Sequence, residues 1–483
     1  MRNITIRDIL KITNGYLQGN VDESYREDLL SKEIRDIAID SREVEDGLLF
    51  VAFKGEKVDA HKFLPDVALK CDAMLIEESE EDIKALIDGK ELPDNKAYIR
   101  VDSTLDSLQK IAAYIRMFYD KPVVGVTGSV GKTTTREMIT HTLSSSLEVF
   151  HTKGNMNSQI GVPLTISHIL DEKSDAAVLE MGISENGGMN KLVNMVRPDI
   201  AVCTMIGVAH IEFMKTKQGI MEEKLHIAAQ MDENGALFVN ADDEYLSKVE
   251  AGFSFDDGSK LKCKVFKFGT VDNADFRAEN IRLENGYNTY TYVHGDTRID
   301  VNLHQPGIHN VLNSLVSMAI ADYLGLDLMK AAASFESFEG LRQRIIESDK
   351  GYTVIDDAYN ASPDSMKAAI NVLSDAECSG RKIAVLGDMF ELGTGSDDFH
   401  SEVGEYIYKK YKEDMDSLDE LICIGKSSVF YSTKLDATDV IVHQFENNEE
   451  AADYLKGILS PGDIVLLKAS NGMHFTEIVK ELV

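Results

Sequence analysis

The sequence VVGVTGSVGKTTT, residues 123–135, decides the fold of the chain around it. Its first four residues are apolar and mostly β-branched, which is typical of a strand buried on both faces of a parallel sheet. Gly128 and Gly131 then let backbone N–H groups converge on a phosphate. Lys132 can reach the β- and γ-phosphates, and the Thr133 hydroxyl can bind Mg²⁺, at the start of a helix whose dipole favours an anion. The stretch therefore predicts a nucleotide-binding turn formed by Thr127, Gly128, Ser129, Val130, Gly131, Lys132 and Thr133.

One residue departs from the strict phosphate-loop template. The template G-x-x-x-x-G-K-[ST] requires glycine where the chain has Val126, so only the TGSVGKT half is met. The alternative is a glycine-rich turn that binds no ligand. That alternative does not explain why Gly, Lys and Thr fall at these offsets between a strand and a helix, so we favour nucleotide binding.

The chain is strongly acidic. Its 483 residues include 50 Lys and Arg against 82 Asp and Glu, which gives a net charge of −32. Such a surface repels nucleic acid and anionic lipid, and no run of Lys or Arg offers a local exception. We therefore expect small-molecule substrates, with no nucleic acid and no membrane insertion. Local cations must then meet any anionic substrate.

The cysteines and the N-terminus indicate the compartment. The five cysteines form no C-x-x-C pair, and several lie in apolar runs, so we expect reduced core residues. The first residues, MRNITIRDIL, carry charges where a signal peptide needs an apolar run. No uncharged apolar stretch reaches the ~18 residues of a membrane helix. We expect a cytoplasmic protein that is a monomer.

Length and pattern predict three α/β domains. Residues 1–121 mix short helices and strands, and residues 122–337 alternate strand and helix as in a parallel sheet. Within the second domain, period-two alternation at 262–303 predicts antiparallel hairpins at a sheet edge. Residues 338–483 again alternate strand and helix, without a glycine-rich loop. This last pattern predicts a small, doubly wound, Rossmann-like domain.

Two spots in the first domain could contact a ligand. Ser41 and Arg42 leave a strand-like run together, and the triplet Asp59, Ala60 and His61 lies in a loop before a helix. Turn residues and a solvated arginine explain both spots equally well. The sequence alone leaves these alternatives open.

Polar residues at two strand ends suggest a metal site. Glu180 ends the run AAVLE, and His210 follows the run IAVCTMIG. Because parallel strands end at one edge of a sheet, both could join Thr133 in binding Mg²⁺ near the γ-phosphate. The alternative is a pair of ordinary turn residues. Lys224 lies on a helix soon after His210 with apolar residues one turn away, so its ordinary interpretation as a solvated, ion-paired lysine fits poorly.

Nine segments of the chain carry a resemblance to a known family. They are TGSVGKTTTREM, TKGNMNSQIGVPLT, LEMGISENGGM, IGVAHIEF, the helix bearing Lys224, GIHNVLNSL, EGLRQRI, IDDAYNASPDSMKAAI and VLGDMFELG. Their order resembles that of the Mur ligases over nearly the whole chain. YNASPDSM and LGDMFELG are similar to the branch that adds D-alanyl-D-alanine to UDP-N-acetylmuramoyl tripeptide. The segment DSREVEDGLLFVAFKGEKVDAHKF resembles the uridine-nucleotide domain of that branch.

The resemblance implies an ATP-dependent amide ligase of peptidoglycan precursor synthesis. In this chemistry the tripeptide carboxylate takes the γ-phosphoryl group of ATP, and the dipeptide amine then displaces phosphate from the acyl phosphate. The resemblance implies that Lys132 is catalytic and that Mg²⁺ binds to Thr133, Glu180 and His210. It implies that Lys224 matches a carbamylated lysine that holds a second Mg²⁺. Asn155 and Asn157 match the substrate and phosphate loop.

The resemblance also implies contacts to both nucleotides. Asn310 matches an adenine contact, and Arg342 matches an arginine that reaches the phosphates from the third domain. Asp356 or Asp357 matches the ribose contact, and the spacing leaves both open. Ser41 and Arg42 would face the uridine diphosphate.

Two residues depart from the family pattern. Asn471 stands where the family has an arginine, which removes a rigid bidentate partner for a substrate carboxylate. His226 stands where an acidic residue is common, two positions after the modified lysine. A paralogue that joins a different amine or acid is therefore one alternative, and a nucleotide-binding sensor module is another.

Overall fold

The computed structural model describes residues 4–55, 57–171, 173–209, 211–284, 287–340 and 344–483. These residues form a mixed α/β protein with sheets of five, nine and six strands. The predicted α/β fold class is confirmed. The order of the strands shows which strand ends meet, and this is what positions the candidate site.

The first sheet is small and mostly parallel. Its region contains α1 (Ile6–Thr13), β1 (Tyr16–Gln18), α2 (Glu23–Ser31), β2 (Asp36–Ala38), β3 (Leu48–Val51), α3 (Leu64–Val67), β4 (Ala73–Ile76), α4 (Glu80–Leu86), β5 (Ala97–Arg100) and α5 (Thr104–Arg116). The strand order is β1-β5-β4-β3-β2, and only β1 runs antiparallel to its neighbour. Strand β4 is buried at all four positions, as expected for a strand covered on both faces.

The second sheet contains the strand of the predicted nucleotide turn. Its strand order is β14-β13-β12-β11-β10-β9-β6-β8-β7. Its elements are β6 (Val123–Thr127), α6 (Lys132–Ser144), β7 (Val149–His151), α7 (Gly161–Ser167), β8 (Ala176–Glu180), α8 (Gly188–Val196), β9 (Ile200–Cys203), α9 (Ile211–Met214), α10 (Lys217–Leu225), β10 (Ala236–Asn240), β11 (Lys264–Gly269), β12 (Phe276–Glu284), β13 (Tyr287–His294), β14 (Thr297–Leu303), α11 (Ile308–Tyr323) and α12 (Leu328–Ser334).

The antiparallel hairpins lie at one edge of this sheet, as the alternation at 262–303 predicts. Strands β12, β13 and β14 pair antiparallel in sequence, and Gly295 turns β13 into β14 with a φ of +56°. Strand β11, however, runs parallel to β10, and it pairs with β12 in parallel over only Phe268 and Gly269. The antiparallel region therefore begins one strand later than its rhythm suggests, because both strand types favour the same β-branched and aromatic residues.

The third sheet is doubly wound. Its elements are β15 (Arg344–Glu347), β16 (Thr353–Asp356), α13 (Pro363–Asp375), β17 (Lys382–Gly387), α14 (Ser396–Glu413), β18 (Glu420–Ile424), β19 (Ile441–Phe445), α15 (Asn448–Ile458), β20 (Ile464–Lys468) and α16 (Thr476–Leu482). The order β15-β16-β20-β17-β18-β19 is parallel except for β15. One core packs α13 and α14 on one face, and a second core packs α15 and α16 on the other.

By packing, the chain divides into two compact units. The first comprises Met1–Gly125, Leu147–Ile183 and Gly187–Ile200, and the second comprises Val126–Ser146, Ser184–Asn186 and Ala201–Val483. Domain boundaries at residues 121 and 337 stay a prediction.

Apolar residues pack in the cores around the sheets. All five cysteines are free thiols, and all but Cys378 are buried, as expected for core residues. Among the described residues, no helix has the length and apolar character needed to cross a membrane.

Candidate active site

The predicted nucleotide turn joins β6 to α6. Strand β6 ends at Thr127 and α6 begins at Lys132. Between them, φ is +149° at Gly128 and +86° at Gly131. A side chain at Gly128 would also overlap the hydroxyl of Thr204. The backbone and the packing of the turn therefore require glycine, because residues with a Cβ rarely adopt a positive φ.

The residues after β9 hold this turn in place. Thr204 donates its backbone N–H to the Thr127 carbonyl at 3.0 Å and its hydroxyl to the Val130 carbonyl at 2.6 Å. Ser129 donates its backbone N–H to the Met205 carbonyl at 2.8 Å. Both flanks of the turn are thus fixed without a ligand, and a preorganised turn loses little entropy on binding.

Lys132 and Thr133 supply the charge and the hydroxyl of the turn. Nζ of Lys132 donates to the carbonyl oxygens of Gly128 at 2.7 Å and Ser129 at 3.2 Å. Thr133 is buried at the start of α6. A phosphate in the turn would meet the ammonium group and the first N–H groups of α6 together. This arrangement suits the polyphosphate of a nucleotide.

Lys224 is a buried amine on α10. Its side chain is 1% exposed. Burial, and then the positive charge of Lys132, lower the pKa of Lys224 to about 7. The amine is therefore largely neutral just above neutral pH, and a neutral amine can react as a nucleophile.

The departure at His226 lies away from Lys224. The imidazole of His226 stacks on Phe255 with 4.6 Å between ring centroids, and Nδ1 has no hydrogen-bond partner within the described part of the chain. Two residues along a helix correspond to a rotation of about 200°, so the side chains at 224 and 226 leave on opposite sides. His226 and Lys224 therefore face different surroundings.

Asn310 belongs to a buried polar chain beside the turn. Nδ2 of Asn310 donates to the Pro306 carbonyl at 2.8 Å, and Oδ1 accepts from Asn313 at 3.3 Å. Asn313 in turn accepts from the hydroxyl of Thr135 on α6 at 2.9 Å. The predicted adenine contact is thus tied to the helix that follows the turn, and Asn310 is only 3% exposed.

Glu180 and Asn157 come together in the first unit. Nδ2 of Asn157 donates to Oε1 of Glu180 at 2.7 Å, and Glu180 is 1% exposed at the end of β8. The backbone N–H of Glu180 donates to the hydroxyl of Thr152 at 3.0 Å. Asn155 differs, because it is exposed, and its carbonyl accepts from the N–H of Asn157 at 2.7 Å. Of the two predicted asparagines, only Asn157 contacts the predicted metal ligand.

Two predicted residues, His210 and Arg342, lie outside the described residues. Within the ranges that are described, no group of three or more His, Cys, Asp and Glu side chains is placed to hold a metal ion. The magnesium ligands therefore stay a prediction.

The two candidate ribose contacts have different partners. Asp356 pairs with Arg344 at 3.1 Å on the surface. Asp357 is buried and accepts from Nζ of Lys468 at 2.7 Å, and the same ammonium donates to the Asn360 carbonyl at 3.0 Å. Asp357 is thus held in place from β20, while Asp356 pairs with an exposed arginine and accepts from the N–H of Ala358 at 3.3 Å.

Ser41 and Arg42 lie at the surface of the first unit. Ser41 is half-buried, and the Arg42 side chain is 87% exposed. Arg42 pairs with Asp40, and this hydrogen bonding lowers the pKa of Asp40 to about 2. The guanidinium is accessible to a ligand, and a contact with uridine diphosphate stays a prediction.

The triplet at 59–61 is structural. His61 is fully buried; Nδ1 lies 2.6 Å from Oδ1 of Asp59, and Nε2 accepts from the backbone N–H of Glu77 at 3.0 Å. The histidine therefore joins the loop to the end of β4. Of the two spots in this domain, the one with Arg42 is the more exposed.

Sequence reasoning missed the residues that support the turn. Thr204, Asn240 and Asp243 each follow or end a strand, and Asn240 donates to the Thr204 carbonyl at 3.0 Å. Oδ2 of Asp243 accepts from the N–H of Ile206 at 2.8 Å. In the sequence, these three residues could have been found as polar residues at or after the ends of apolar runs.

Two family descriptions match the chain. The Mur ligase middle domain matches residues 126–321, and the Mur ligase glutamate ligase domain matches residues 341–471. The turn and Lys224 fall within the first match, and both aspartates fall within the second.

Relatives of known name align along the whole chain. The UDP-N-acetylmuramoyl-tripeptide–D-alanyl-D-alanine ligase of Bacillus subtilis is 34% identical over 99% of this chain and 98% of the relative. The Escherichia coli enzyme of the same name is 30% identical over 100% and 99%.

Solved structures agree with the sequence relatives. MurF of Acinetobacter baumannii superposes with a TM-score of 0.83 at 26% identity, covering 99% of this chain and 98% of that one. MurF of Thermotoga maritima in complex with ADP has a TM-score of 0.77 at 28% identity, with coverage of 93% and 97%.

Proposed function

The chain belongs to the Mur ligase family, and from that premise we propose that it is an ATP-dependent ligase that joins D-alanyl-D-alanine to UDP-N-acetylmuramoyl tripeptide. This reaction makes a precursor of peptidoglycan. Full-length similarity to ligases of that name supports the assignment over a paralogue with a different amine or acid.

Lys224 is the observation that carries the ligase over a nucleotide sensor. It is fully buried, has a pKa of about 7 and lies within the field of Lys132. A neutral amine can add to CO₂ and lose a proton, which converts a cation into a carbamate with oxygen ligands for a metal ion. A module that only senses nucleotide has no use for such a buried lysine, whose desolvation is costly.

The reaction has two steps. A carboxylate oxygen of the tripeptide attacks the γ-phosphorus of ATP, the bond to the bridging oxygen breaks, and ADP leaves. The neutral amine of D-alanyl-D-alanine then attacks the acyl carbon, loses a proton, and inorganic phosphate leaves with the C–O bond electrons. Lys132 stabilises the charge on the transferring group, and Arg342 adds a second cation. Asn155 and Asn157 orient the tripeptide end.

The side chains present fit Mg²⁺. Glu180 is a buried carboxylate, Thr133 is a hydroxyl at the nucleotide turn, and carbamylated Lys224 adds further oxygen, while His210 adds a nitrogen. Hard oxygen donors are the ligands that Mg²⁺ prefers, usually with one or two carboxylates and the substrate phosphates. Bound Mg²⁺ would neutralise charge on the phosphate oxygens. Glu180 is held for this purpose by the amide of Asn157.

The remaining contacts assign the two nucleotides to different regions. Asn310 contacts adenine, and Asp356 or Asp357 contacts the ribose of ATP. Ser41 and Arg42 contact the uridine diphosphate of the second substrate. The protein acts as a monomer in the cytoplasm, where ATP and a UDP-linked precursor are available.

Phosphate release tests the proposal. Purified protein is mixed with ATP, Mg²⁺ and UDP-N-acetylmuramoyl tripeptide, and D-alanyl-D-alanine is added last. We expect phosphate release that depends on the dipeptide and is lost in Lys132→Ala but kept in Lys121→Ala, a change at an exposed lysine just before β6. Release without the dipeptide, or with another amine only, would refute this substrate.

A further inference from the structure

Asp364 lies next to the segment that follows β9. It is the second residue of α13, a helix of the third sheet. Its carboxylate lies against the backbone of Gly207 and Val208: a Cβ built on Gly207 would stand 2.3 Å from Oδ2, and the Val208 N–H acts to lower the pKa of the carboxyl group. The close approach of a carboxylate to the backbone is thus possible only because residue 207 has no side chain.

The segment that Asp364 contacts also contacts the nucleotide turn. Ser129 donates its backbone N–H to the Met205 carbonyl at 2.8 Å and its hydroxyl to the Gly207 carbonyl at 3.3 Å. Residues 205–208 therefore touch the turn on one side and α13 on the other. We call these four residues the bridging segment.

The bridging segment is anchored in the third sheet by apolar contacts as well. Val208 is 6% exposed and belongs to the same core as Met366 and Leu386 of that sheet. Ile211 packs against this core, and a Cβ built on Gly393 would lie 3.3 Å from Cγ of Glu212. Asp364 is therefore the polar part of a larger contact.

One oxygen of the Asp364 carboxylate makes no hydrogen bond to the described residues. Oδ2 is buried without a hydrogen-bond partner among the described residues. Burial raises the pKa of Asp364, and the opposing positive charges are those of Lys217 and Lys367, with Glu402 acting against them. A buried carboxylate with one unsatisfied oxygen lowers the stability of the fold. Its presence therefore indicates a functional role.

We infer that Asp364 is a positioning residue for the nucleotide turn. By holding Gly207 and Val208, it sets the carbonyl of Gly207 and, through Ser129, the geometry of the turn that binds the triphosphate. Nucleotide affinity thus depends on a side chain from the third sheet that does not touch the nucleotide. The inference rests on the proposed function only for the identity of the nucleotide.

Four variants and one control test this role. Asp364→Ala removes the contact, Asp364→Asn keeps an acceptor of the same shape, and Gly207→Ala pushes a methyl group against Oδ2. The double variant Gly207→Ala with Asp364→Ala leaves room for that methyl group. Asp375→Ala is the control, because Asp375 is an exposed acid at the end of the same helix.

Affinity for the non-hydrolysed analogue AMP-PNP is measured by calorimetry, alongside KM for ATP and kcat. We expect Asp364→Ala and Gly207→Ala each to weaken binding by about fivefold or more, which corresponds to about 1 kcal/mol. Asp364→Asn should stay within about twofold of the wild type, and the double variant should be no weaker than Asp364→Ala, since both changes break one contact. The rise in KM should exceed the fall in kcat.

Two results would overturn the inference. One is wild-type affinity for AMP-PNP in Asp364→Ala. The other is that Gly207→Ala reduces AMP-PNP affinity by the same factor in the wild type and in the Asp364→Ala background. Failure of the proposed function looks different, because the wild type would then lack dipeptide-dependent phosphate release while the AMP-PNP titrations could still be read.

Discussion

Nζ of Lys468 lies 2.7 Å from Oδ2 of Asp357, and the exposed fractions of the two residues are 2% and 7%. The two residues follow or end neighbouring parallel strands, since Asp356 is level with Leu467 in the register of β16 and β20. Removing one member of a buried ion pair leaves an uncompensated charge and destabilises the fold. Replacing both members by uncharged residues is often nearly neutral.

Lys468→Met should therefore destabilise the third sheet. We expect a loss of about 3–5 kcal/mol in the free energy of unfolding, because the buried carboxylate of Asp357 loses the ammonium group of Lys468. Adding Asp357→Asn should restore most of that loss while leaving nucleotide binding impaired. Thermal and urea unfolding of both variants measure the effect. An unchanged melting temperature in Lys468→Met would show that the pair contributes nothing to stability.

The buried amine of Lys224 should lower the free energy of unfolding, although the ligation reaction needs it. Its pKa is about 7 in the folded chain and about 10.4 in an unfolded one, so between these values the unfolded chain binds more protons. Stability of the wild type consequently rises with pH across this window. Lys224→Met should abolish ligation and raise the melting temperature at about pH 7, and the difference should shrink towards about pH 10.

The measurement for Lys224 is thermal unfolding in buffer free of bicarbonate, which keeps the amine unmodified. Lys248→Met, at a lysine with a 67% exposed side chain, is the control and should show no such pH dependence. A variant that is no more stable than the wild type at any pH would mean that Lys224 is not desolvated.

The nucleotide turn was predictable because its information is local. Strand, glycines, lysine and hydroxyl occupy thirteen consecutive residues, 123–135, and each is required by the backbone or by a phosphate. The apolar neighbours of Lys224 one turn away made an ion-paired lysine a poor fit, but only the resemblance to a known family singled this residue out. The resemblance to Mur ligases fixed the family, which the full-length relatives confirm.

The supporting residues were not predictable from local pattern. Thr204 is 74 residues from Val130, and Asp364 is more than 150 residues from the segment it contacts. Neither a threonine after an apolar run nor an acid at the start of a helix indicates a long-range partner. An acid there is also favoured by the helix dipole alone, which hides any second role.

Thr204→Val should weaken nucleotide binding and lower the free energy of unfolding by about 1 kcal/mol. Valine keeps the shape but loses the hydroxyl that donates to the Val130 carbonyl at 2.6 Å, so the turn is less restrained. One such bond is worth about 1 kcal/mol, and we expect KM for ATP to rise about fivefold. Thr142→Val is the matched control, because the Thr142 hydroxyl is buried without a partner in the described part of the chain. It should leave KM unchanged.

His61 and Arg42 should respond oppositely to alanine. His61→Ala leaves the N–H of Glu77 without its acceptor and opens a cavity in a fully buried place, so we expect a loss of about 3 kcal/mol of stability. Arg42→Ala should leave stability unchanged, since the side chain is 87% exposed, and should raise KM for the UDP-linked substrate alone. Thermal unfolding and KM for each substrate separate the two residues. A raised KM for the UDP-linked substrate in a stably folded His61→Ala, with Arg42→Ala unaffected, would reverse the assignment and make the buried histidine part of the binding surface.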